Sequence, residues 1–337
     1  MRLMPFVAIP ALIVATTAAA QSPQSAAPPS TATIGFMHAI HATNNVDTTL
    51  EFYTRVFGVT TKVQPFKNPG VPLLTNSPGV SLRVAMLHWP GNGFNFELTE
   101  FTNVKRTPAQ PSIVDPGAPH MKVLVHDLAP VLAGLDAAHA PIITRSSQPV
   151  PIKTPRGEVK AIFFRDPDGY LVEAIQVPAG GSAPESGNVL GSIMGLTVAD
   201  MDESLKFWRD ELGFRFDEPS EFSSDPALLD LFGVKGKVSF RMMNGVVPGS
   251  TARIQLIEFR GMLRRPFDLR VPDPGASGMA IRVAAIGSLL SKLKAAGVRV
   301  LSKDEALVEW SPTVRNVFVK DPNGLNIELV GDVGRAQ

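Results

Sequence analysis

Two periodicities take turns along the chain. Residues 35–43 (GFMHAIHAT), 81–89 (SLRVAMLHW), 94–101 (FNFELTEF) and 120–128 (HMKVLVHDL) have strand character, with apolar side chains concentrated on one of two alternating faces. AIFFRD (161–166) and YLVEAIQ (170–176) flank an Asp-Pro-Asp-Gly turn and read as a hairpin. Asp suits the first turn position, Pro the second, and Gly a following left-handed position. PGNG (90–93) is the corresponding hairpin signal between the second and third strands. Helical spacing breaks in twice. In 45–58, Leu50, Tyr53, Val56 and Phe57 share a face, with a capping residue before them and Gly58 after them. Residues 128–140 make the second helix. The predicted order is strand, helix, strands, then strand, helix, strands again, an α+β arrangement.

The second half of the chain repeats this plan. DTTLEFYTRVFGV (47–59) resembles DESLKFWRDELGF (202–214), and the hairpin FFRDPDGYLVEAIQ (163–176) resembles VFVKDPNGLNIELV (317–330). Phe52 and Phe207 stand 155 positions apart, as do Asp166 and Asp321, so the halves are duplicates. Two homologous domains are expected, at 34–178 and 190–332, joined by a Gly/Pro/Ser-rich linker at 179–189.

The remaining residues precede the first strand. One Arg, an apolar run and Ala18-Ala19-Ala20 read as a secretory signal peptide, residues 1–20, followed by a flexible spacer, 21–33. The run is too short for a membrane anchor. A periplasmic or secreted protein is expected, with no membrane contact after cleavage. The chain has no cysteine, which excludes disulfides, thiolate metal sites and a Cys nucleophile. Any metal must be held by His and carboxylates. With Lys+Arg 32 against Asp+Glu 31 no basic face stands out, and no nucleic-acid partner is expected.

Four polar residues sit inside the strands: His38, Glu97, His120 and Glu173. Strand side chains alternate. Glu173 shares a face with Leu171 and Ile175, and His120 shares one with Lys122, while Met121, Val123 and Val125 make the apolar side. With helices on that side, the polar residues line a concave sheet. A carboxylate there requires a partner or a cation. Two imidazoles and two carboxylates make a donor set for a divalent ion of borderline hardness. His41 lies on the opposite face from His38 and reads as structural or exposed; His88 could rim the pocket, and His126 and His139 read as surface residues.

At these residues the sequence resembles the vicinal oxygen chelate superfamily, which includes glyoxalase I, methylmalonyl-CoA epimerase, fosfomycin and bleomycin resistance proteins, and extradiol dioxygenases. His38 stands fourteen residues before Phe52-Tyr53; Glu97-Leu98-Thr99, the strand from His120 to Asp127, and the hairpin glutamate Glu173 match the family's other motifs. The resemblance implies paired βαβββ modules forming a cup around one divalent metal ion (Zn, Ni, Mn or Fe(II)). It places His38, Glu97, His120 and Glu173 on that metal, with Glu173 also the base. The equivalent residues of the second half, Ile193, Gln255, Gly278 and Glu328, include no histidine, so that half reads as a scaffold with a degenerate site and Glu328 as idle.

The implied activity is a glyoxalase-like lyase or isomerase, in a monomer or homodimer, acting on a small molecule that chelates the metal through vicinal oxygens. Glutathione is a poor expectation for an exported protein. One alternative is an extradiol Fe(II) dioxygenase using His38, His120 and Glu173; Phe163 stands where such enzymes carry Tyr. Another is a resistance-type protein that sequesters a small molecule.

Overall fold

The computed structural model describes residues 32–90, 94–155, 157–178 and 187–333. The expected signal peptide, most of the spacer and most of the linker lie outside the described residues. The chain forms four βαβββ units. The first contains β1 (Thr33–Thr43), α1 (Val46–Phe57), β2 (Gln64–Phe66), α2 (Val71–Leu74), β3 (Ser81–His88) and β4 (Asn95–Thr102). The second contains β5 (Pro119–Val125), α3 (Ala129–Ala137), β6 (Val150–Thr154), β7 (Gly157–Arg165) and β8 (Leu171–Gln176). In the third are β9 (Val189–Val198), α4 (Met201–Leu205, prolonged by a π-helical stretch, Lys206–Glu211), β10 (Arg215–Phe216), α5 (Pro226–Leu231), β11 (Ser239–Val246) and β12 (Arg253–Arg260). The fourth has β13 (Ser277–Val283), α6 (Ile286–Ala295), β14 (Val308–Ser311), β15 (Val314–Lys320) and β16 (Asn326–Asp332).

Local chemistry accounts for these elements. Asn45 caps α1 by accepting from the backbone N–H of Asp47 and Thr48, and Gly58 ends it at φ 71°. Phe52, Tyr53, Val56 and Phe57 form its buried face. Among the described residues no helix is long and apolar enough to cross a membrane.

The α+β class and the paired βαβββ units expected from the sequence are what the structure shows. The pairing crosses between the halves. One eight-stranded sheet runs β14-β15-β16-β13-β1-β4-β3-β2, the other β10-β11-β12-β9-β5-β8-β7-β6. The first unit therefore joins the fourth, through antiparallel β1 and β13, and the second joins the third, through antiparallel β5 and β9. Every unit leaves one strand edge that must be paired, and either partner satisfies that need.

One face of each sheet turns toward a shared core that takes Ala39, Phe96 and Leu98 from the first sheet, Met121, Phe164 and Val172 from the second, and Tyr53 and Trp208 from the helical segments. The outer faces hold separate clusters. Ile40, Phe101, Ala280 and Phe318 meet Val71 and Leu74 of α2 on the first sheet. Phe163, Leu171, Ile175 and Phe259 meet Leu231 of α5 and the adjoining Phe232 on the second.

The two Asp-Pro-Asx-Gly hairpins brace the sheets against each other. Asp166 Oδ1 accepts from the backbone N–H of Asp168 and Tyr170 within its own turn, both at 2.9 Å, while Oδ2 accepts from Tyr53 Oη at 3.1 Å and lies 2.9 Å from His41 Nε2. Asp168 accepts from Asn44 N and from Thr49 Oγ1, each at 2.6 Å. A hairpin of the second sheet thereby grips β1 and α1. The second copy returns the contact: Asp321 orders the β15–β16 turn, and Asn323 accepts from Ala199 N at 2.8 Å and donates to Ser204 Oγ at 3.0 Å.

Candidate functional site

The structure does not bring the four expected ligands together. His38 lies on β1 and Glu97 on β4, in the first sheet; His120 lies on β5 and Glu173 on β8, in the second. All four point away from the shared core, so the two pairs occupy opposite sides of the molecule. The registers show where the family positions went. Ile40 faces Gly278 and Glu97, and Ala280 faces His38 and Glu328. In the other sheet Gly195 faces His120 and Gln255, and Lys122 faces Ile193 and Glu173. One cup thus collects His38, Glu97, Gly278 and Glu328; the other collects Ile193, Gln255, His120 and Glu173. The expectation of a single site within the first half is corrected by this cross-pairing, and Glu328, expected to be idle, joins His38 and Glu97.

The first cup holds a cavity of about 300 Å³ lined by His38, Glu97, Thr99, Asn316 and Glu328, among apolar neighbours. His38 Nε2 is 3.6 Å from Glu97 Oε2. Thr99 Oγ1 donates to Glu97 Oε1 at 2.7 Å, and Asn316 Nδ2 donates to Glu328 Oε1 at 2.7 Å. Burial, and then the Glu97 carboxylate, push the Glu328 pKa up to about 8 against the pull of Asn316. Among the described residues no ion pair forms to Glu328. One imidazole and two mutually repelling carboxylates line one cavity, a donor set of the kind a divalent cation takes, but among the described residues it is His41, Asp166 and Asp168 that bring three ligating atoms within 4.8 Å of one another. A fourth side-chain ligand is ruled out at 278, where a Cβ would collide with the Asn326 carbonyl.

The second cup is filled. Lys122 Nζ stands 2.8 Å from Glu173 Oε2, both side chains almost wholly buried. His120 packs onto the Gly195 backbone so closely that a Cβ there would enter the ring, and neither ring nitrogen has a hydrogen bond among the described residues. Burial, reinforced by Lys122, drives its pKa well below the usual histidine value, so it is neutral. The Phe163 ring packs edge-on against it at 5.8 Å, and Phe232 packs in turn against Phe163. His120 and Glu173, expected as ligands, are here parts of a packed interior.

His41, Asp166 and Asp168 form a compact buried group with donor atoms close enough to hold a cation. Their carboxylate oxygens are already engaged by Tyr53, Thr49, Asn44 and the turn's own backbone. His41 thereby ties β1 to the hairpin. His88 is exposed and contacts Asn95 at 2.8 Å.

This fold and these cups place the chain in the glyoxalase/bleomycin resistance protein/dioxygenase superfamily, whose signature matches residues 35–174 and 190–329. The lactoylglutathione lyase GLX1 of Arabidopsis thaliana is 27% identical over 183 residues, 53% of this chain and 55% of the relative. A lactoylglutathione lyase of Oryza sativa subsp. japonica is 29% identical over 181 residues, 53% of each chain. This chain thus spans about half the length of the curated relatives it matches. The structure of glyoxalase I from Zea mays superposes with a TM-score of 0.56 at 19% identity, covering 88% of this chain and 92% of that one.

Proposed function

We propose that the first cup is the active site of a glyoxalase-like, metal-dependent lyase or isomerase acting on a small molecule with two adjacent oxygens. The observation that carries this reading is the convergence of His38, Glu97 and Glu328 on one cavity. A divalent ion held by these three would supply Lewis acidity to the substrate oxygens. Thr99 and Asn316 fix the two carboxylates, so their free oxygens keep one orientation. Glu328, on the closing strand of the fourth unit, takes the proton-transfer role that the family resemblance implied for Glu173. Apolar walls surround His38, Glu97 and Glu328.

The ring-cleaving alternative needs two imidazoles and one carboxylate on one ion. His38 and His120 lie in different cups, and position 278 has no room for a side chain. The cup therefore favours non-redox chemistry. We propose too that a leader cleaved after Ala20 exports the chain; the mass of the protein recovered from its host checks it.

Metal analysis of the purified chain tests the site. Wild type and His120→Ala are expected to hold one divalent ion per chain, and His38→Ala and Glu328→Gln to lose it. Full occupancy in both of the latter, or loss in folded His120→Ala, overturns the assignment. Turnover of a vicinal dicarbonyl or hydroxyketone, absent in Glu328→Gln, supports catalysis; metal binding without any turnover supports sequestration instead.

A further inference from the structure

We infer that the first cup takes a compact, uncharged ligand, an aryl hydroxyketone or its dicarbonyl counterpart, and not an adduct of a charged tripeptide thiol. This rests on the proposed function for the same site and adds the substrate class.

Size is the first constraint. About 300 Å³ is the small end of the range for small-molecule pockets. A single ring bearing two adjacent oxygens fits within that space, whereas a tripeptide adduct would extend out of it into solvent.

The walls supply the second. Met37, Ile40, Leu74, Phe101, Val271 and Phe318 surround the cavity with apolar surface. Its polar groups gather around His38, Glu97 and Glu328. That arrangement suits a molecule with its oxygens at one end and a hydrocarbon body at the other.

Charge is the third. A glutathione adduct brings two carboxylates and an ammonium. Arg282 is the guanidinium lining the cavity, and it lies 3.4 Å from Asp332 at the solvent edge. Held inside the cavity, the adduct's carboxylates would meet Glu97, Glu328 or hydrocarbon, and burying unpaired charge is costly.

Closure of the cup points to a ring. Phe66 of β2 and Trp310 of β14 come from opposite edges of the sheet, yet their rings stack at 5.8 Å and 16°. Asn68 Nδ2 donates to the Trp310 carbonyl at 3.0 Å, tying the two edges together. An aryl body entering beneath this pair gains offset or edge-to-face contact.

Calorimetric titration of the metal-loaded full chain with 2-hydroxyacetophenone and with S-lactoylglutathione tests the inference. The ketone is expected to bind at one per chain, at least ten times more tightly than the adduct. Trp310→Ala should weaken the ketone about tenfold and leave the metal content unchanged. Trp310 fluorescence gives a second readout, since Trp89 and Trp208 lie in the shared core. Equal or tighter binding of the adduct, or no binding of the ketone to a chain that holds its metal, overturns the substrate class and spares the metal site. A wild-type chain that holds no metal overturns the function, and the substrate class with it.

Discussion

Lys122 occupies in the second cup the register position that Ala280 occupies in the first, on a central strand and directly beside the closing glutamate. Its ammonium puts a fixed positive charge beside Glu173, on a cup face where a cation would otherwise be required. Breaking a buried pair by removing one partner leaves the other charge uncompensated. Lys122→Ala is accordingly expected to destabilise the chain by about 3–5 kcal/mol in urea unfolding. Replacing the pair together, as in Lys122→Met with Glu173→Leu, should restore most of the loss; a double variant as unstable as the single one would show that the pair does not act as a unit. The sequence contained the signal. Lys122 shares a strand face with His120, and a lysine on an inward face requires a nearby carboxylate. What it could not show is that the carboxylate, once neutralised by Lys122, has no need of a metal.

At the scale of elements, the parts with local causes were legible. The helix from Asn45 to Gly58, the alternating strand faces and the Asp-Pro-Asx-Gly hairpins all follow from caps, periodicity and turn residues. The short helices α2 and α5 were not, because four to six residues in Pro- and Gly-containing segments carry no periodicity. They matter to the cups: α2 lines the first and α5 fills the second. The hairpin Asp166 also has a consequence for pH. Burial alone would lower the His41 pKa, but Asp166, and then Asp168, outweigh it and raise it above its ordinary 6.5. A raised folded-state pKa stabilises fully below the unfolded value and loses that contribution as pH rises through the folded one. The stability advantage of wild type over Asp166→Asn should thus be largest below pH ~6.5 and shrink at higher pH. Unfolding titrations of both proteins at several pH values check this, and an advantage that grows with pH would show that His41 is not held as the cation.

For the whole molecule, the repeat revealed two copies of one plan and concealed how they interlock. Identical βαβββ units offer chemically similar strand edges, so nothing in the order of residues distinguishes pairing within a half from pairing across halves. The structure chooses the second, and each cup draws two of its four key positions from each half. Residues 34–178 alone contain His38 and Glu97 but not Glu328, and they leave the edges of β1 and β5 without β13 and β9. That fragment, expressed by itself, is expected to bind no metal at one per chain and to associate or aggregate through its open edges. A protease site inserted at 179–187 gives the contrasting case. After cleavage the two pieces should elute as one species and keep their metal, because the central strand pairs hold them together without the linker. Addition of 187–333 to the isolated first fragment should restore metal binding. A first fragment that bound one ion as a monomer, and lost it on His120→Ala or Glu173→Gln, would mean that the half can close its own cup and that the cross-paired arrangement is not the one that carries function.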